Sequence, residues 1–79
     1  MEDKEIAKAQ SELNRVNMDL DRARKDAEQA KLQLDGLQRE NDDHRSKGWE
    51  DKLFKLEQDV LQAEEERNTV QDEADKVAA

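Results

Sequence analysis

Twelve positions spaced alternately three and four residues apart form a single row along the first part of the chain. Ten are small or apolar and the last two are polar: Ile6, Ala9, Leu13, Val16, Leu20, Ala23, Ala27, Ala30, Leu34, Leu37, Asn41 and His44. This spacing averages about 3.5 residues, so a slightly underwound α-helix keeps the row on one narrow stripe, here called the first seam. Because a helix cannot bury its own stripe, the sequence predicts that this helix packs against another.

The composition supports helices over a globular core or a disordered chain. The 79 residues are 46% charged and 33% hydrophobic, with one Trp and one Phe, which is too little apolar material for a globular domain. Proline is absent, and good helix formers are abundant. High charge also fits disorder, but a disordered chain has no reason to keep a seam in register for six heptads. We therefore predict an all-α fold, a long coiled coil.

The same composition argues against several classes of function. Without cysteine the chain has no disulfide or thiolate chemistry, and it has no apolar run near the ~18 residues that span a bilayer. A net charge of -8 repels phosphate backbones and anionic lipid. We expect no nucleic-acid or membrane binding. No phosphate loop, nucleophile motif or zinc spacing is present, so we expect no enzyme activity, metal or cofactor.

A second seam begins after a polar interval and is out of phase with the first. It comprises Trp49, Leu53, Leu56, Val60, Ala63, Arg67, Val70, Ala74 and Val77. Residues 38–48, between the two seams, include no hydrophobic side chain. The sequence therefore predicts two coiled-coil segments, 1–45 and 46–79, separated by a break in the heptad phase.

Two arrangements satisfy this phase break. In the favoured one, a single helix continues through it with local unwinding and reaches ~118 Å at 1.5 Å per residue. In the alternative, the helix breaks near Ser46 or Gly48, and the second segment folds back as an antiparallel hairpin that assembles into a bundle. Gly48 permits a turn and Ser46 suits a helix N-cap, but one glycine costs only about 1 kcal/mol within a helix.

The charges beside the first seam favour a parallel homodimer. In a parallel pair each g residue faces the e residue five positions later on the other chain, and three such pairs attract: Asp19 with Arg24, Asp26 with Lys31, and Glu40 with Arg45. Asn41 occupies position a of the heptad, a core position, and a polar residue at that position favours two strands in register. The predicted dimer interface comprises the first seam through Asn41 and the apolar members of the second seam.

Trp49, Phe54 and Leu61 are candidates for contact with a further protein. Phe54 and Leu61 lie outside the seam, seven residues apart on one helix face, and such strips often bind a partner. Alternatively, they widen the core of a hairpin or a higher oligomer. Met18 and Leu32 lie at outer positions and are interpreted as scattered surface residues.

Residues 5–45 resemble the rods of known coiled-coil proteins. The stretch Lys8–Val16, KAQSELNRV, and the stretch Leu20–Arg24, LDRAR, are similar to segments of tropomyosin, myosin tails and Bruchpilot-like active-zone scaffolds. This resemblance implies a cytoplasmic structural or scaffolding role.

Taken together, the sequence predicts a dimerisation and spacer segment excerpted from a longer cytoskeletal or scaffold protein. The alternative functions are an adaptor that recruits a partner helix through residues 49–61, and a self-assembling hairpin.

Overall fold

The chain folds into two long helices that lie side by side. A computed structural model describes residues 2–78, with side chains from Lys4 to Val77; helix α1 is Glu2–Arg39 and helix α2 is Asp43–Ala78. The molecule measures 60 × 13 × 13 Å, close to the ~57 Å expected for one 38-residue helix. The two helices are therefore antiparallel along their whole length, and the prediction of an all-α fold is confirmed.

The prediction of one continuous helix is wrong, because α1 ends at Arg39 and the chain reverses over residues 40–42. Asn41 adopts a left-handed conformation with φ 58°, which Asn tolerates better than most residues. The Asn41 amide donates to the Gln38 carbonyl at 3.1 Å, and the Asp42 amide donates to the Leu37 carbonyl at 3.0 Å. This pair of bonds is the Schellman motif, which satisfies the last carbonyls of a helix.

Asp42 directly follows this motif and caps the second helix. Its Oδ1 accepts a hydrogen bond from the Arg45 amide at 3.0 Å, the pattern of an aspartate N-cap. Its Oδ2 lies 3.5 Å from Arg45 Nε. Because one residue closes α1 and the next opens α2, the reversal needs no glycine or proline.

The turn therefore lies inside the predicted interval 38–48 but before the two residues named as its candidates. Ser46 and Gly48 both lie within α2. Ser46 is buried, 6% exposed, and its hydroxyl has no hydrogen-bond partner among the described residues. The chain reverses over residues 40–42, a few residues before the predicted boundary between 45 and 46.

The two seams face each other across the hairpin. Every apolar seam residue of α1 is buried or half-buried, and the centre of the core consists of Val16, Leu20, Ala30 and Leu34. The seam residues of α2 from Trp49 to Ala74 are half-buried, whereas Asn41 and His44 are exposed and Val77 is 40% exposed. The phase difference between the seams has no consequence here, because each seam belongs to a separate helix.

The two seams are mirror images about the turn. Counted outward from the bond between Asn41 and Asp42, both follow the same series of spacings of three and four, with Ser46 in the place that corresponds to Leu37. Ala30 and Gln33 line one groove together with Trp49 and Lys52, which agrees with this register.

The register matches small residues with large ones across the hairpin. It places the α1 alanines at the level of larger α2 residues, and a leucine of α1 at the level of an α2 alanine: Ala23 with Val60, Ala27 with Leu56, Ala30 with Leu53, and Leu20 with Ala63. Alternation of this kind fills the space between helices without voids. The alanine cluster of α1 is therefore complemented by α2.

The hairpin and the predicted parallel homodimer use the same residues. Seam side chains that pack between α1 and α2 cannot at the same time face the same seam of a second chain. The structure contains one chain, and parallel pairing between chains stays a prediction.

Candidate protein-interaction site

A groove with an aromatic floor runs along one flank of the hairpin, near the turn. It has a volume of about 720 Å³, and its apolar part is formed by Ala30 and Leu32 from α1 and by Trp49 and Leu56 from α2. We call it the Trp49 groove.

The rim of the Trp49 groove is basic. Lys52 Nζ lies 4.6 Å from the centroid of the Trp49 ring, within the range of a cation–π contact. Lys55 also lines the groove, with Asp26 as the carboxylate. A hollow of about 350 Å³ continues from Trp49 and Lys52 to Arg45. Three cations therefore lie along this flank.

Phe54 and Leu61 lie on a different flank, and we call this surface the Phe54 ridge. Phe54 is 63% exposed and Leu61 is 52% exposed. Leu61 borders a hollow of about 370 Å³ with Val60 on α2 and Arg24 and Ala27 on α1. Large apolar side chains exposed to this degree on one helix face are typical of an interaction surface.

The surroundings of the Phe54 ridge are strongly acidic. The residues three and four positions from Phe54 and Leu61, which are their neighbours on the helix, are Glu50, Asp51, Glu57, Gln58, Glu64 and Glu65. Five of these six carry carboxylates, and Glu64 is paired with Arg24 at 3.3 Å. The ridge is therefore an apolar strip in a negative field.

The candidate binding residues do not form one site. Trp49 and Phe54 are five residues apart, which turns them about 140° from each other around the helix at roughly 100° per residue. Trp49 lines the basic groove, whereas Leu61 borders the hollow on the opposite flank. The region predicted as a single partner-binding surface is divided into two surfaces of opposite charge.

Sequence reasoning did not identify Leu32, Lys52 and Lys55 as members of one groove. Leu32, interpreted as a scattered surface residue, is 65% exposed and lines the groove with Lys52 and Lys55. The heptad pattern of a single helix has no signal for this grouping, because Leu32 reaches Trp49 and Leu56 only through the register between α1 and α2. Met18 is 66% exposed and lines none of the grooves described above.

Two ion pairs link the helices farther from the turn. Arg15 Nη2 lies 3.1 Å from Glu66 Oε1, and Arg24 Nη2 lies 3.3 Å from Glu64 Oε1. Three of the four side chains are more than half exposed and Glu64 is half-buried, so each pair contributes about 0–1 kcal/mol. These pairs support the antiparallel register, but the apolar seam supplies most of the stability.

Within residues 2–78 no group of three or more His, Cys, Asp or Glu side chains is arranged to hold a metal ion. Across the same residues, neither helix has an apolar stretch long enough to cross a membrane.

Comparison with known proteins finds no matching family model, no similar curated protein and no similar solved structure.

Proposed function

We propose that this chain is a non-catalytic structural segment of a larger cytoplasmic cytoskeletal or scaffold protein. It acts as a short helical strut that associates with other protein chains. The observation that carries the proposal is the architecture: a 60 Å pair of helices whose core consists of the two facing seams and whose exposed large apolar residues, apart from Val77 near the end of the second seam, lie outside them. A seam of this kind holds helices together.

The exposed residues of α2 support an adaptor role within this proposal. Phe54 and Leu61 contribute little to the hairpin, because more than half of each side chain remains in water. A helix that presents two such residues one heptad apart suits docking against another helix. Association through residues 49–61 is therefore the activity we assign to the strut.

A parallel homodimer is the second candidate, and the charges of the first seam favour it. In the hairpin, Arg24 pairs with Glu64, whereas in a parallel dimer it faces Asp19 of the other chain. The hairpin would have to open at residues 40–42, because both arrangements bury the same seam. The rod would then approach ~118 Å if its helix became continuous.

Energy transfer within one chain distinguishes the two arrangements. The chain has no cysteine, so Lys8→Cys with Lys76→Cys can carry a donor and an acceptor at two exposed positions. Labelled chains are diluted with unlabelled chains to remove transfer between molecules. The hairpin predicts strong transfer, since paired helix axes lie 8–10 Å apart.

A continuous helix would instead separate the two labels by about 100 Å at 1.5 Å per residue, and transfer would be lost. That result would overturn the hairpin strut in favour of the parallel rod. A chain labelled at Lys8 and Asp35, both on α1, serves as the matched control, because its label distance is the same in both arrangements.

A further inference from the structure

The two apolar surfaces of α2 are complementary in charge. The Trp49 groove carries Lys52 and Lys55, with Arg45 in the adjoining hollow. The Phe54 ridge is surrounded by carboxylates. The groove therefore suits an acidic amphipathic helix, and the chain itself has such a helix on its opposite flank.

The spacing of the apolar residues also agrees between the two surfaces. Trp49 and Leu56 are seven residues apart, and so are Phe54 and Leu61. Seven residues correspond to about 10.5 Å along a helix. Two side chains on the ridge thus match the separation of the two apolar α2 residues in the groove.

From this match we propose that a second copy of the chain docks its Phe54 ridge into the Trp49 groove of the first. The proposal rests on the strut proposed above, because it requires the intact hairpin to form the groove. Pairing of two ridges face to face is disfavoured, since it would bring the carboxylates of one copy against those of the other and like charges repel.

The exposed area of the hairpin is consistent with two such contacts per chain. The chain exposes 6451 Å², whereas a compact protein of 9.2 kDa exposes about 4,900 Å², so the excess is about 1,500 Å². A standard interface covers about 800 Å² of each partner. A slender molecule of 60 × 13 × 13 Å exposes more surface than a compact one of the same mass, so this surface has room for one contact through the groove and one through the ridge.

Docking of a ridge into a groove is heterologous, since the two partners use different surfaces. After one contact forms, the first copy still has a free ridge and the second copy still has a free groove. Unless the rotation between copies closes a ring, assembly continues in one direction. We therefore expect a species larger than a dimer at high protein concentration.

Two variants test the proposal by removing one surface each. Phe54→Ser with Leu61→Ser removes the ridge, and Leu32→Glu with Lys55→Glu converts the groove to an acidic one. All four residues are exposed, so the hairpin is retained, which the Lys8–Lys76 energy transfer verifies. Met18→Ser is the matched control, because Met18 is an equally exposed residue outside both surfaces.

The solution mass is then measured for each variant and for their mixture. The wild-type protein and Met18→Ser should exceed two chains as concentration rises, whereas each double variant alone should remain at 9.2 kDa. An equal mixture of the double variants should form a two-chain complex, because the intact groove of one accepts the intact ridge of the other.

A mixture that stays at the mass of one chain, while the wild-type protein assembles, would overturn the ridge-into-groove contact. Wild-type protein that remains a single chain up to millimolar concentration would overturn self-docking and leave the groove to a helix of another protein. Loss of energy transfer would instead show that the hairpin strut itself is wrong.

Discussion

Two adjacent residues determine the direction of the second half of the chain. Asn41 takes the left-handed conformation that closes α1, and Asp42 caps the first turn of α2. Each residue alone is a weak signal, and a glycine or proline at the break would have been a stronger one. Their adjacency makes the turn short enough to keep the two seams in register.

The left-handed backbone at Asn41 predicts that alanine and glycine substitutions there differ in their effect on the free energy of unfolding. Asn41→Ala should destabilise the protein by about 1 kcal/mol, because alanine lacks the short polar side chain that lets asparagine tolerate positive φ. Asn41→Gly should cost little, since glycine adopts this conformation freely. Urea unfolding measures both, with the neighbouring exposed Glu40→Ala as control. Equal stability of the Ala and Gly variants would contradict the assigned turn.

At the scale of the elements, α1 and α2 are stabilised mainly by the apolar contact between the first and second seams. Leu20 is 2% exposed and lies level with Ala63 in the register of the two helices. Gly36 and Gly48 are the weak positions of the two helices, and a Cβ added at either would meet no atom within 4 Å beyond its chain neighbours and the backbone of its own helix.

Leu20→Ala should destabilise the hairpin by about 2 kcal/mol or more, because it leaves a cavity opposite another alanine. Leu32→Ala, a control with the same chemical change at a site that is 65% exposed, should alter stability by no more than about 0.5 kcal/mol. Thermal unfolding followed by circular dichroism compares them. Similar losses in both variants would argue against the assigned seam.

Gly48→Ala should stabilise the protein by about 0.5–1 kcal/mol, because alanine loses less conformational freedom in a helix interior. The same change at Gly36 should act in the same direction, since both positions have open space. Destabilisation at Gly48 would show that the backbone there is not helical, as expected if the turn were at this position. Denaturant unfolding provides the measurement.

At the scale of the whole molecule, the seam is buried within one chain. The hairpin is slender, 13 Å in two dimensions, and it has a net charge of -8. Its folding therefore depends on a narrow apolar contact between two helices. The turn keeps the helices together by reducing the loop that must close to three residues, 40–42.

Intramolecular burial makes the stability independent of protein concentration. In the variant without the ridge, Phe54→Ser with Leu61→Ser, the thermal midpoint should stay constant over about a hundredfold range of concentration, because no association is coupled to unfolding. Scanning calorimetry or circular dichroism measures the midpoint. A rise of the midpoint with concentration would support a seam shared between chains, as in the parallel homodimer.

The candidate interaction site was predictable only in part. Trp49, Phe54 and Leu61 are conspicuous in the sequence, because aromatic and aliphatic residues are scarce in a chain that is 46% charged. Their division between a basic groove and an acidic ridge depends on their angular positions on α2. The contribution of Leu32 depends on α1 being alongside.

By itself, the sequence determined that the chain is helical and which residues of each helix form its apolar stripe. Only the tertiary structure decided what covers that stripe, because a period of 3.5 residues is the same whether the covering helix belongs to the same chain or to another. The mirror symmetry of the two seams about Asn41 and Asp42 is the sequence signal that distinguishes these cases. This symmetry predicts pairing only once the position of the turn is known. The turn then brings residues that are equally far from it along the chain to the same level on opposite helices.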